Sequence, residues 1–289
     1  MYPAPILILP GLDPNADELL LVAEGYTPSS MSRFVKRCQR FVTAVTAAPW
    51  FTPGLLKIWR LDADSTGGAF ELAFAPGCRP SAVPRTVSFG AVFGGLSGCS
   101  ELSGNDELVT GLVFGNQLPA ESELGIVKQY VVFVDSLKRG GSAGGEVAWI
   151  SGGLEWVVGA ALHEFGHLYD LHDEYENKCG EASSDDALVI RQNNVCSDAA
   201  DPPWSRQLSG PGGLTKPKKL DGCTDCDEAV PNPFQDTWIG VYEGAKNRHT
   251  DVYRPSQKCR MRKSADEFCP VCTRILAYKL NPVGLSPVD

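Results

Sequence analysis

ELLLVAEGYTPSSMSRFVKRCQRFVTAVTAAPWFTPGLLKIWRL, residues Glu18 to Leu61, decides the fold class. Glu18 to Ala23 is a short apolar run of the kind that forms a buried strand. Gly25 and Thr27 then break it, and Ser29 or Ser30 can cap a helix over Met31 to Ala47. Phe34, Val35, Cys38, Phe41, Val42 and Val45 recur at helical spacing along one face. Leu55 to Leu61 is a second strand. A strand, a helix and a strand in that order imply an α/β (α+β) unit built on a twisted sheet.

Outward from there, the middle of the chain, Asp62 to about Gly125, is rich in Gly, Pro and Ser. It carries only weak signals at Val87 to Phe93 and Glu107 to Phe114. Gln129 to Val134, QYVVFV, is a strong strand. SLKRGGSAGG reads as a flexible loop, EVAWIS (Glu146 to Ser151) as an edge strand, and Leu154 to about Leu168 as a long apolar helix. After Tyr175 the composition turns to Ser, Asp, Gly, Pro and Asn. Order returns near Trp238 to Glu243 and in a closing helix over Thr273 to Leu280. The expected organisation is an N-terminal lobe, 1–175, and an irregular, cysteine-rich C-terminal lobe, 176–289, forming one catalytic domain of 289 residues.

The net charge of −9, from 26 basic and 35 acidic side chains, argues against nucleic acid as the main partner. No run of about 18 apolar residues exists, so no membrane span is expected. The first residues lack the basic stretch of a signal peptide. Ten cysteines, mostly in loop-like sequence, favour disulfides and a secreted or periplasmic setting, with Cys38 read as a buried free thiol.

The chemistry concentrates in Ala160 to Tyr175, AALHEFGHLYDLHDEY. His163 and His167 are four residues apart, about 400° of helical rotation, so both imidazoles leave one face and can hold one zinc ion. Glu164 beside them is placed to act as the base that takes a proton from a zinc-bound water. Of the four histidines in the chain, His163, His167 and His172 fall within this segment. Asp173, ten residues after His163, is the preferred third ligand, and the segment then resembles the HExxHxxGxxH/D pattern of metzincin metallopeptidases. Asp170 stands where that pattern has Gly. Asp tolerates a left-handed backbone better than most residues, which keeps the required turn open. The departure leaves Asp170, His172 and Glu174 as competitors for the third ligand, while Glu174 and Tyr175 can also be read as support for it.

Metzincins carry a Met on a tight turn as the hydrophobic floor of their metal site. By that resemblance Met261, in CRMR, is the candidate. Tyr253 can donate a hydrogen bond to a developing oxyanion, and Arg254 can do the same or bind a substrate carboxylate. Their bland readings are packing for Tyr253 and pairing with a surface acid for Arg254. Cys223–Cys226 and Cys269–Cys272 are two CxxC pairs. They are read first as disulfide partners, one of them involving Cys259. The alternatives are a four-cysteine structural zinc, or calcium at the acidic first pair.

With these residues in hand, the chain resembles the IgA-peptidase family of metallopeptidases over most of its length. LLLVAEGYT with SRFVKRCQRFVTAV looks like that family's opening, and ALHEFGHLYDLHDEY like its metal motif. VYEGA, VYRPSQKCRMR and FCPVC look like its C-terminal signature. The resemblance implies a metzincin-like, secreted bacterial zinc endopeptidase that cuts a protein or peptide substrate. It carries over His163, Glu164 and His167, and also Asp173. Cleavage of immunoglobulin A itself is not implied. The rival expectations are a zinc-containing protein- or glycan-binding module that does not cut, and a zinc hydrolase acting on a non-peptide bond.

Overall fold

The computed structural model describes residues 2–78, 86–95, 98–112, 128–176, 190–209, 214–215 and 238–281. The chain divides into two compact units, Met1–Leu168 and Tyr169–Asp289. The division falls at the end of the motif helix rather than after Tyr175.

In chain order the first unit contains β1 (Ile6–Leu9), β2 (Asp17–Glu24), α1 (Met31–Thr46), β3 (Leu56–Leu61), β4 (Phe70–Glu71), β5 (Ala73–Phe74) and β6 (Thr86–Val87). It continues with β7 (Val92–Gly95), β8 (Gly98–Ser103), α2 (Asp106–Thr110), β9 (Gln129–Val134), β10 (Gly140–Gly144), β11 (Val147–Ser151) and α3 (Leu154–Leu168). Its main sheet has the order β1-β3-β2-β9-β11-β10. The four inner strands run parallel, and β1 and β10 close the two edges antiparallel. The protein is therefore a mixed α/β chain with several sheets. Leu19 to Ala23 are fully buried, as are Val131 to Val134, because inner parallel strands are covered on both faces.

Two sequence expectations need correction here. The GGSAG segment is not a loop but the strand β10, and the edge strand is β10 rather than EVAWIS, which lies between β9 and β10 as β11. The cause is local. GGSAG has almost no side chains to show a two-residue alternation, so its strand identity comes from backbone pairing with β11. Ser30 does stand at the N-cap position of α1, but it makes no cap hydrogen bond to the helix. Its own backbone is already helical (φ −103°, ψ −7°), and its hydroxyl accepts from the Thr27 N–H instead.

Helices α1 and α3 share the aromatic core. Phe41 meets Phe133 of β9 and Phe165 of α3 edge-on, and Trp50 stacks on Phe165 with ring centroids 5.4 Å apart. Arg37 of α1 is 1% exposed. It donates to Val134 O (3.0 Å) at the end of β9 and to Gly152 O (2.6 Å) just beyond β11, and it also bonds the Tyr26 hydroxyl. A buried guanidinium with carbonyl partners fixes where those strands end. Gly152 lies on the short connection from β11 into α3, so this network helps set the start of the motif helix. The far end of α3 is held by Gln129, whose side-chain amide donates to Leu168 O (2.9 Å) and satisfies a terminal carbonyl.

The second unit contains β12 (Arg191–Gln192), β13 (Val195–Cys196), a 3-10 turn (Ser205–Gln207), β14 (Leu214–Thr215), β15 (Val241–Ala245), β16 (Arg248–Arg254) and α4 (Pro270–Leu280). Its sheet has the order β12-β13-β16-β15-β14. Lys246 and Asn247, both left-handed (φ 49° and 64°), make the two-residue turn that folds β15 back onto β16. The closing helix begins three residues earlier than the sequence reading, with Pro270 in its first turn, where a missing N–H costs nothing.

Candidate functional site

Helix α3 is buried nearly all round. Val157, Ala160, Ala161, Leu162, Phe165, Gly166 and Leu168 have little solvent contact. The same burial takes in His163 and Glu164, 7% and 8% exposed, while His167 is half-buried. The two imidazoles stand nearly perpendicular, with centroids 4.9 Å apart. One potential ligand atom from each of His163, Glu164 and His167 lies within 4.8 Å of the others. Two imidazoles this close can hold a divalent cation such as zinc, with the carboxylate beside it.

Strand β10 passes directly over Glu164. A Cβ built on Gly141 would lie 2.5 Å from Glu164 Oε1. Only glycine lets the backbone come this near to the carboxylate. The absence of side chains that made this strand illegible in sequence is therefore what gives Glu164 its room.

Asp170 adopts φ 62°, the left-handed conformation that the Gly position of the motif requires. Its carboxylate is paired with Lys279 of α4. Asp173 is half-buried in the second unit, with Oδ2 accepting from the Tyr175 hydroxyl at 2.8 Å. Tyr175 thus supports the Asp173 carboxylate. Of the competitors for the third ligand, Asp170 makes an exposed ion pair with Lys279. The His172 backbone is held at both its N–H and its carbonyl by Asn194.

Glu174 stands among cysteines. It is fully buried and lies in a cluster with Cys259, Cys269 and Cys272, whose ligand atoms all fall within 4.8 Å of one another. Burial pushes the Glu174 carboxyl well above the usual range, and it pushes the Cys259 and Cys272 thiols up as well. At Cys269 the same burial is outweighed by hydrogen bonds involving Cys259 and Cys272, which draw its thiol down.

Met261 is fully buried, and its carbonyl accepts the Glu174 N–H at 2.9 Å. The CRMR segment therefore runs beside the tail of the histidine motif within the second unit. Tyr253 is half-buried on β16, opposite Glu243 of β15. Arg254 does not serve a substrate. It is fully buried, donates to Glu243 O, Gly244 O and Ser256 O, and faces Glu176 at 3.5 Å. The pairing with an acid expected for Arg254 is thus present, in the interior rather than at the surface, and no part of its guanidinium is exposed to bind a substrate.

Among the cysteines, Cys38 is a buried free thiol and Cys78 is bonded to Cys99. Cys259, Cys269 and Cys272 are free rather than disulfide-linked. Cys179 and the pair Cys223–Cys226 lie outside the described residues. Sequence reasoning grouped Cys259 with the CxxC cysteines as a disulfide partner, but missed that Glu174 and Asn194 belong with them. The available signal was a lone cysteine ten residues before the second CxxC pair, in a chain whose histidine motif has a spare acid.

No protein-family model matches the chain, and no curated protein matches it.

Proposed function

We propose that the protein is a zinc-dependent endopeptidase, with His163 and His167 as metal ligands and Glu164 as the general base. The observation that carries this reading is the clustering of these three side chains on one buried helix, under a strand that is glycine where it meets Glu164. Zinc, when bound, would lower the pKa of a coordinated water to about 7 and polarise the carbonyl to be attacked. Glu164 takes the proton of the attacking water and returns it to the leaving amine. Its low exposure keeps that proton from being lost to bulk solvent. The chain's resemblance to the IgA-peptidase metallopeptidases rests on its motifs and supports a protein or peptide as substrate.

Asp173 is proposed as the third ligand on motif spacing, with Tyr175 holding its carboxylate. Met261 as the floor of the site and Tyr253 as an oxyanion donor are likewise proposals from the sequence pattern. A secreted or periplasmic setting is supported by the Cys78–Cys99 disulfide. No helix among the described residues is long and apolar enough to cross a membrane.

The test is digestion of casein or a peptide library with and without a chelator, alongside Glu164→Gln. The expected outcome is cleavage that is abolished by the chelator, restored by zinc, and at least about a hundredfold slower in the variant. Stoichiometric zinc with no cleavage under any condition would instead mark a binding module. Asp173→Ala should lose most of the zinc from this site; full metal content in that variant rules out Asp173 as a ligand.

A further inference from the structure

We infer that Glu174, Cys259, Cys269 and Cys272 form a second, structural zinc site inside the C-terminal unit.

All four side chains are buried, three of them to 0% exposure and Cys269 to 3%. Their donor atoms lie within 4.8 Å of one another. Cys259 Sγ and Cys272 Sγ are 3.6 Å apart. Two sulfurs at ~2.3 Å from a tetrahedral zinc would be about 3.8 Å apart, so the pair is already at the edge length of such a site. Backbone N–H groups point at the sulfurs. Cys269 N–H donates to Cys259 Sγ (3.4 Å), and Cys272 N–H donates to Cys269 Sγ (3.5 Å). Cys269 is also the N-cap of α4, an eleven-residue helix whose N-terminus favours anionic sulfur.

Glu174 supplies the independent sign of a ligand. Its Oε1 accepts from Asn194 Nδ2–H (2.9 Å) and from the Cys272 thiol (3.1 Å). Its Oε2 is buried with no hydrogen-bond partner among the described residues. A carboxylate oxygen left so in a protein interior is costly, and a cation at the cluster removes the cost. A disulfide does not. Three thiols are an odd number, so one bridge would leave a thiol and an acid buried together. The donor chemistry selects the metal as well: thiolates suit zinc, whereas calcium and magnesium take oxygen ligands.

The site has an evident structural task. Glu174 follows Asp173 directly, and Cys259 is two residues from Met261, whose carbonyl already binds the Glu174 N–H. A metal here staples the tail of the histidine motif to the Met261 segment and to the start of α4. This inference stands whether or not the protein cuts peptides.

The experiment uses the full chain carrying His163→Ala and His167→Ala, which removes the histidine site. Metal analysis should find one zinc per chain. Exchange with cobalt should give the near-ultraviolet charge-transfer band of thiolate–cobalt bonds, which a histidine and carboxylate site cannot produce. Zinc content near zero, or one equivalent of cobalt without that band, overturns the inference. Independently, the wild-type chain is denatured in chelator, alkylated without reductant and mapped by mass. Cys259, Cys269 and Cys272 should all be alkylated as thiols, and a disulfide joining any two overturns the site. Glu174→Gln should weaken zinc binding at least about tenfold; an unchanged affinity removes Glu174 from the ligand set and overturns the four-ligand proposal.

Discussion

Asp170 carries two roles that can be separated by experiment. Its backbone is left-handed, and its carboxylate pairs with Lys279. The side chains of that pair are 66% and 32% exposed, so the ion pair contributes little, about 0–1 kcal/mol. Asp170→Gly and Asp170→Ala remove the pair equally, but only alanine retains the Cβ that the left-handed region disfavours. Denaturant unfolding should therefore show the alanine variant less stable than the glycine variant by about 1 kcal/mol. Equal stabilities would mean that the turn relaxes to another conformation. This position also shows what a single residue discloses. Asp at a Gly position was readable from its known tolerance of positive φ. The destination of Glu174 was not readable, because it depends on Asn194, Cys259 and α4, which only the folded chain brings together.

At the scale of elements, legibility followed the side chains. QYVVFV was read to the residue as β9, and α1 and α3 within a residue or so, because each carries a strong apolar pattern. β10 carries none, and β1 and the β15–β16 hairpin also went unread, since short or polar strands take their identity from their partners. The illegible strand makes the sharpest functional claim. A Cβ at position 141 would meet the far end of the Glu164 side chain rather than backbone, so the carboxylate, not the sheet, gives way. Gly141→Ala should leave the unfolding transition and the zinc content near wild type. Peptidase activity should nevertheless fall by about a hundredfold, because a base displaced by roughly 1 Å loses its alignment with the attacking water. Wild-type kcat in that variant would show that Glu164 tolerates the shift and that β10 does not position it.

Across the whole molecule, the sequence favoured disulfides for most cysteines, with Cys38 as a free thiol and a four-cysteine zinc as the alternative, and the structure separates them by chemistry. In the first unit, Cys78 and Cys99 are joined across a separation of 21 residues. Loop closure of that length is worth about 3 kcal/mol through the unfolded chain. In the second unit the described cysteines are thiols, three of them gathered around Glu174. The two units should therefore answer to different reagents. A mild reductant should destabilise the protein by about 3 kcal/mol, and the double variant Cys78→Ser, Cys99→Ser should reproduce that loss in its absence. In the variant, Cys38, Cys196, Cys259, Cys269 and Cys272 should alkylate equally with and without the reductant, because these described cysteines are thiols with no disulfide to lose. Urea unfolding and alkylation mapping of both proteins, with and without reductant, test this directly. If the double variant still loses stability on reduction and the bridge broken involves Cys259, Cys269 or Cys272, the division of these cysteines between cross-link and metal ligand fails.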